Sequence, residues 1–523
     1  MQNSDLSSNN LIQAGLLVLI GSFLLAGWAF WIDPIINRDG VKYVLAAEAF
    51  AMGEYLRALD AYKWPFYSMS IALFSKITPF SVETSAYVLN ALFRGLGGIA
   101  FLKICLLLGA NRNQIWLAAA VYLLFPGLNE VQSMIIRDFG YLCCFLWMVY
   151  FFMQQLANPT RGHVLGFVVM GLIATAFRIE GVIYVFGLLI FYLLSSTVKG
   201  HLKVIGYGII LLVVPVLCYF QLMWLYNGDI SNSLASFTAT VNSASEDLQE
   251  YIEGLESAWL QGILNSVSYF ILLVSPFARM FWSTLAVLST GYILLLIYGW
   301  FTRPVLELEN PRIALMAKGW RWMVGMNIMV LVTFVMIKQI VTDRYPLSLA
   351  LILMLLIPFI WTDLWHRIST SARAWVKPVM GFVIVALFII NGAEGLDRFT
   401  VKHHLKEAGL HVKANLRPGE VFLTNNRVID YYAGTKEIYP DTHYGWPHIS
   451  EFVDTLRWTE LGWIALYFNR HQDPALFEYL DEAFYHSPPI VYMGPKGSRV
   501  IMHNPAGLRR GEDPIQTGES ESN

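Results

Sequence analysis

Apolar runs of about twenty residues, separated by short polar breaks, recur along most of the chain. A helix needs about 20 mostly apolar residues to cross the hydrocarbon of a bilayer, because every backbone polar group must be paired inside it. The pattern predicts spans at 11–32, 84–108, 114–126, 139–155, 164–178, 180–197, 203–226, 282–301, 322–340, 345–361 and 377–391, about eleven in all. The first has no small-residue cleavage site behind a short apolar core and reads as a retained anchor.

Two regions break this rhythm. The stretch 33–83 after the first span holds two amphipathic segments, 38–56 and 64–78. From about 392 the period shortens: Val421–Thr424, Trp463–Phe468, Ile490–Met493 and Val500–His503 read as strands, and 474–485 as a helix. Pro-Gly and Gly-Ser punctuate these runs, as in a small α/β domain. The expected fold is a polytopic α-helical membrane protein. Its transmembrane module covers 1–391, with outer loops at 33–83 and 227–281; a small extracytoplasmic α/β carboxyl-terminal domain covers 392–510, and an acidic, polar tail 511–523 is expected to be disordered. No internal repeat is visible, which argues against an inverted-repeat transporter.

Composition agrees with lipid as the solvent. Of 523 residues 56% are hydrophobic and only 14% charged, against about 25% charged in soluble domains. With 36 Lys and Arg against 38 Asp and Glu there is no basic excess, so a nucleic-acid partner is not expected. Cys105, Cys143, Cys144 and Cys218 all fall in apolar runs, so they read as small buried hydrophobes and not as a disulfide framework.

Orientation follows from the basic residues of the short loops. With the amino terminus inside, those loops carry Arg112, Arg161, Lys199, Lys203 and two later clusters at 303–321 and 367–377; the outside stretch 229–256 is acid-rich. An odd number of spans then puts the carboxyl-terminal domain outside.

Against that frame, ionisable residues gather where spans meet the outer face. They are Asp39, Lys42 and Lys63 in the first loop, Arg137 and Asp138 before the fourth span, Arg178 and Glu180 between the fifth and sixth, and Asp343 with Arg344 before the tenth. One such charge alone is more often an interfacial side chain with its head in water. Four clusters on one side, where basic residues are disfavoured, point to a site. Carboxylates beside Lys and Arg can deprotonate a hydroxyl while holding an anionic leaving group. At a membrane surface that anion would be a lipid-linked phosphate. No P-loop, dinucleotide fingerprint or HExxH pattern occurs.

These same residues resemble the GT-C superfamily of integral-membrane glycosyltransferases, in the branch of the protein O-mannosyltransferases and the aminoarabinose transferase of lipid A. Four pieces carry the likeness: Asp39-Gly40-Val41-Lys42-Tyr43, followed by Ala46, Ala47 and Gly53; Lys63-Trp64-Pro65-Phe66-Tyr67; Arg137-Asp138-Phe139 with Phe177-Arg178-Ile179-Glu180-Gly181; and Asp343-Arg344-Tyr345-Pro346. The resemblance implies a polyprenyl-phosphate sugar donor, a lipid, glycan or protein acceptor, and transfer outside the cytoplasm, in a bacterial inner membrane. It implies Asp39 as catalytic base or acceptor-orienting acid and Asp138 as second acid. Lys42, Lys63, Arg344 and Tyr345 would be donor-phosphate ligands, with Tyr43, Arg137, Arg178 and Glu180 in support. The chain departs from the branch at Gly40, where many relatives carry an acid, and at Trp64, where many carry proline. The first departure disfavours metal assistance, so no cofactor is expected and a divalent metal is not indicated.

Other classes remain: a lipid-linked sugar transporter or flippase, a polysaccharide ligase or polymerase, and a non-catalytic assembly subunit of envelope glycan synthesis. Eight of the eleven histidines lie in the tail, without the tight spacing of a metal site. Tyr431, Tyr432, Tyr439, Tyr444, Trp446 and Trp463 could stack on a sugar, but read first as core and turn aromatics of a small domain.

Overall fold

The structure, a computed structural model, describes residues 8–195, 263–302, 310–338, 344–371, 402–435, 461–468 and 489–506, with isolated positions at 342 and between 378 and 392. The expected span 203–226, about half of 377–391, the helix at 474–485, residue Asp343 and the tail 511–523 lie outside the described residues.

In chain order the helices are α1 (Ser8–Ile32), α2 (Arg38–Met52), α3 (Tyr55–Ala61), α4 (Phe66–Ile77), α5 (Val82–Leu107), α6 (Arg112–Leu123), α7 (Pro126–Glu130), α8 (Asp138–Ala157), α9 (Arg161–Phe177), α10 (Glu180–Ser195), α11 (Ile263–Thr302), α12 (Pro311–Lys338), α13 (Leu347–Met354) and α14 (Ile357–Ser371). Among the described residues five stretches are long and apolar enough to cross a membrane: Asn9–Ile32, Val82–Leu107, Asp138–Ala157, Phe277–Thr302 and Leu347–Thr370. Phe66–Ile77, Arg161–Phe177 and Glu180–Ser195 are shorter apolar helices.

Several expected boundaries move, each for a local reason. The run 114–126 is cut because α6 ends at Leu123 and Pro126 opens the separate short helix α7, proline being favoured at a first helical turn and excluded from an interior. The run 345–361 divides at Leu355 and Leu356 into α13 and α14. Helix α12 begins at Pro311, not 322, so Arg312, Lys318 and Arg321 ride on the helix and not in a loop. Hydropathy marks where lipid would begin, whereas the helix continues wherever its backbone bonds do. Helix α11 begins at Ile263, so the end of the stretch 227–281 is helical.

The chain divides into two compact units. The first joins Met1–Ala26, Val88–Gln132 and Arg137–Asp397; the second joins Gly27–Tyr87, Ser133–Ile136 and Arg398–Asn523. In the first, α8 and α9 pack along their length, and Trp320 of α12 donates from Nε1 to the Ile352 carbonyl of α13 at 2.7 Å. Cys105, Cys143 and Cys144 are buried thiols.

The second unit contains helices α2–α4 and the tail elements α15 (His403–Asn415), β1 (Val421–Thr424), α16 (Arg427–Ala433), β2 (Leu461–Phe468), β3 (Ile490–Met493) and β4 (Arg499–His503). The strands form one sheet in the order β1-β2-β4-β3, with β1 parallel to β2 and the other neighbours antiparallel. The central strand β2, LGWIALYF, is apolar throughout and almost wholly buried, as expected of a strand covered on both faces. Edge strand β3 alternates exposed and half-buried positions. Helix α15 buries Leu405, Ala408 and Val412, one stripe at helical spacing.

Candidate active site

Three turns of the first unit deliver charge to one place. Asp138 stands in the first turn of α8 and Glu180 in the first turn of α10, where the helix dipole favours a carboxylate. Arg178 closes α9 in extended backbone two residues before Glu180. The turn between them is tight: a Cβ at Gly181 would stand 2.6 Å from the Thr175 backbone nitrogen. Glycine is what lets α10 leave so close to α9.

Arg178 is buried, and its guanidinium is held by both acids. Nη1 donates to Asp138 Oδ1. Nη2 and Nε donate to the two oxygens of Glu180 at 2.7 and 3.3 Å, a fork-on-fork pairing that fixes direction as well as charge. Two aromatic rings also meet it: the guanidinium carbon stands 4.9 Å from the centre of Tyr345 and 5.5 Å from that of Tyr141. Arg344 lies 6.0 Å from the Tyr345 ring, which packs on Phe334 at 4.2 Å. Asp138, Arg178, Glu180, Tyr184, Arg344 and Tyr345 thus line one pocket. Two carboxylates and two guanidiniums leave it formally neutral while keeping both signs at fixed positions.

Of the residues expected from the sequence, Asp138, Arg178, Glu180, Arg344 and Tyr345 come together here. Arg137 directly precedes Asp138, at the N-cap of α8. Asp39, Lys42, Tyr43 and Lys63 belong to the second unit. There Asp39 is half-buried in the first turn of α2 and Lys42 lies one turn on. Tyr43 is buried edge-on between Tyr62 and Tyr67, with ring centres at 4.8 and 5.1 Å. Lys63 is exposed, one residue past Tyr62.

No family model and no curated protein matches the sequence. Among solved structures, the cryo-EM structure of the arabinofuranosyltransferase AftD from mycobacteria is similar at a TM-score of 0.48 and 12% identity. The match covers 97% of this chain and 42% of that one, so this chain spans less than half of its length.

A second buried guanidinium was not among the expected residues. Arg94, in the middle of α5, is 1% exposed and donates to Gln132 Oε1 at 2.6 Å, Asn129 Oδ1 at 2.5 Å and the Leu123 carbonyl at 3.0 Å. Its signal was an ionisable residue deep in an apolar run; its amide partners, 35 and 38 residues on, leave no periodic trace.

In the tail, Trp463 and Tyr432 are buried in the core, and Tyr431 donates to Glu83 Oε2 at 3.0 Å. Tyr439, Tyr444 and Trp446 lie outside the described residues. Among the described residues no group of three or more His, Cys, Asp or Glu is arranged to hold a metal ion.

Proposed function

We propose that this chain is an integral-membrane glycosyltransferase that moves a sugar from a polyprenyl-phosphate donor to a lipid, glycan or protein acceptor on the extracytoplasmic face. The observation that carries the reading is the pocket at the mouths of α8 and α10, where Asp138 and Glu180 hold Arg178 against Tyr345 and Arg344 shares the lining. Buried, mutually paired charges at the ends of apolar helices are costly and mark functional sites. An aromatic-walled pocket that carries two guanidiniums beside lipid suits a lipid-borne phosphate.

In this reading the acceptor hydroxyl gives its proton to the Asp39 carboxylate as its oxygen attacks the anomeric carbon. The bond from that carbon to the phosphate oxygen breaks, and the phosphate leaves with the electron pair. Lys42 and Lys63 neutralise the growing charge; the resemblance carries Arg344 and Tyr345 over as donor-phosphate ligands and Asp138, which fixes Arg178, as the second acid. The protein then sits in a bacterial inner membrane with its amino terminus cytoplasmic and its tail domain outside.

The test is release of free polyprenyl phosphate from polyprenyl-phosphate sugars by purified full-length protein in detergent. Wild type should release it, and Asp39→Asn should lower the rate by about 10²-fold or more. Retention of full activity by Asp39→Asn removes the acid from the mechanism. Donor binding without release in wild type favours a transporter or assembly subunit instead.

A further inference from the structure

Asp39 is carried by α2, and the five residues before that helix, 33–37, are irregular strap between α1 and α2. Such a strap has few backbone bonds of its own, so the helix it launches is only as fixed as the strap's outside contacts. Those contacts come from the tail, more than 370 residues later.

Tyr432 of α16 is buried with its hydroxyl on the strap. The hydroxyl accepts the Ile36 N–H at 3.1 Å and lies 3.4 Å from the Pro34 carbonyl, to which it donates. Lys406 of α15 donates from Nζ to the same carbonyl at 3.3 Å, with its ammonium 5.2 Å from the centre of the Tyr432 ring. The next residue, Tyr431, reaches Glu83 at the far end of the first loop. Beyond the strap, Asn37 accepts the Ile135 N–H at 2.7 Å on Oδ1. The Ile36 N–H and the Pro34 carbonyl are therefore satisfied by tail side chains that could not be supplied locally.

We infer that Tyr432 and Lys406 are positioning residues: the tail clamps the strap and so sets where α2 presents Asp39. This inference rests on the role given to Asp39 above. It also assigns the tail domain a task within the reaction. Neither residue needs to touch donor or acceptor.

Tyr432→Phe removes one oxygen and keeps the buried ring, so the tail should fold normally. Two readouts on full-length protein in detergent separate the clamp from the chemistry. Hydrogen–deuterium exchange needs no substrate: amides of 35–42 should exchange about tenfold faster in Tyr432→Phe, and faster still with Lys406→Met added, while β2 and β4 keep their protection. Donor turnover should fall about ten- to a hundredfold, through kcat more than through donor KM, since Lys42 rides on the same helix. Lys406→Arg, which keeps a donor, should restore most of what Lys406→Met loses.

Unchanged exchange at 35–42 in the double variant overturns the clamp. Faster exchange with full turnover overturns its positioning role. If wild type turns over no donor yet the variants loosen 35–42, the clamp stands and the transferase reading falls.

Discussion

A Cβ on Gly40 would stand 2.6 Å from Asn37 Oδ1 and 3.0 Å from Ile135 Cβ, closer than side chains pack. The position is buried in the first turn of α2, and Asn37 cannot withdraw without giving up the Ile135 N–H. The glycine at this position is thus a matter of volume: Asn37, Ile36 and Ile135 leave no room for a side chain. Gly40→Asp should lower stability by about 1–3 kcal/mol through overpacking and speed amide exchange at Ile135. A melting temperature equal to wild type, with Ile135 still protected, would mean the strap has room to spare. Asp39 stands out in the sequence because its spacing to Lys42 and Tyr43 is local. The crowding was not, since Ile135 is 98 residues from Asn37.

Elements were legible where their signal is periodic. The four strand runs of the tail lie within one or two residues of β1–β4, and the two amphipathic stretches of the first loop contain α2 and α4. What periodicity misses is long-range polar pairing. Arg94 is the case in point: it ties α5 to the end of α6 and to the short helix α7 through three oxygens. Arg94→Met keeps the apolar stem but strips all three acceptors of their donor, and a buried unsatisfied group costs about 1–3 kcal/mol. The variant should lose about 3 kcal/mol or more, with exchange rising across 123–132; protection unchanged there would show that α7 is held by packing alone.

Titration belongs to the same scale, because it acts on the packing of α15 against the sheet. His404 is 2% exposed, with Ser498 Oγ 3.5 Å from its Nε2. Burial, then the charges of Lys402 and His403, push its pKa down to about 4 from an ordinary 6.5. The folded tail therefore keeps the ring neutral while the unfolded chain protonates it. The contribution is fully present above about pH 6.5, shrinks as pH falls, and is lost by about pH 4, where the folded ring protonates as well. Wild type should melt at a lower temperature at pH 4.5 than at pH 7.5, and His404→Gln should lose most of that difference. Equal pH dependence in both would move the sensitivity elsewhere.

For the whole molecule, the strongest reading that composition allows is that lipid surrounds the apolar helices. The five crossing-length stretches and the low share of charge agree on this. Sidedness rests on a different physical argument, the distribution of Lys and Arg in short loops, and it can be tested with two exposed sites. Gly162, at the start of α9, has only Thr160 Oγ1 near a built Cβ, at 3.9 Å; Ala414, in the last turn of α15, is also exposed. Cys105, Cys143 and Cys144 are buried and should add little background, and Cys218 is replaced by alanine. In intact cells a membrane-impermeant maleimide should label Ala414→Cys and leave Gly162→Cys untouched until the membrane is opened. The reverse pattern would put the tail domain in the cytoplasm, on the side of nucleotide-linked sugars. It would remove the lipid-phosphate donor from consideration together with the extracytoplasmic acceptor, since both follow from the same assignment of faces.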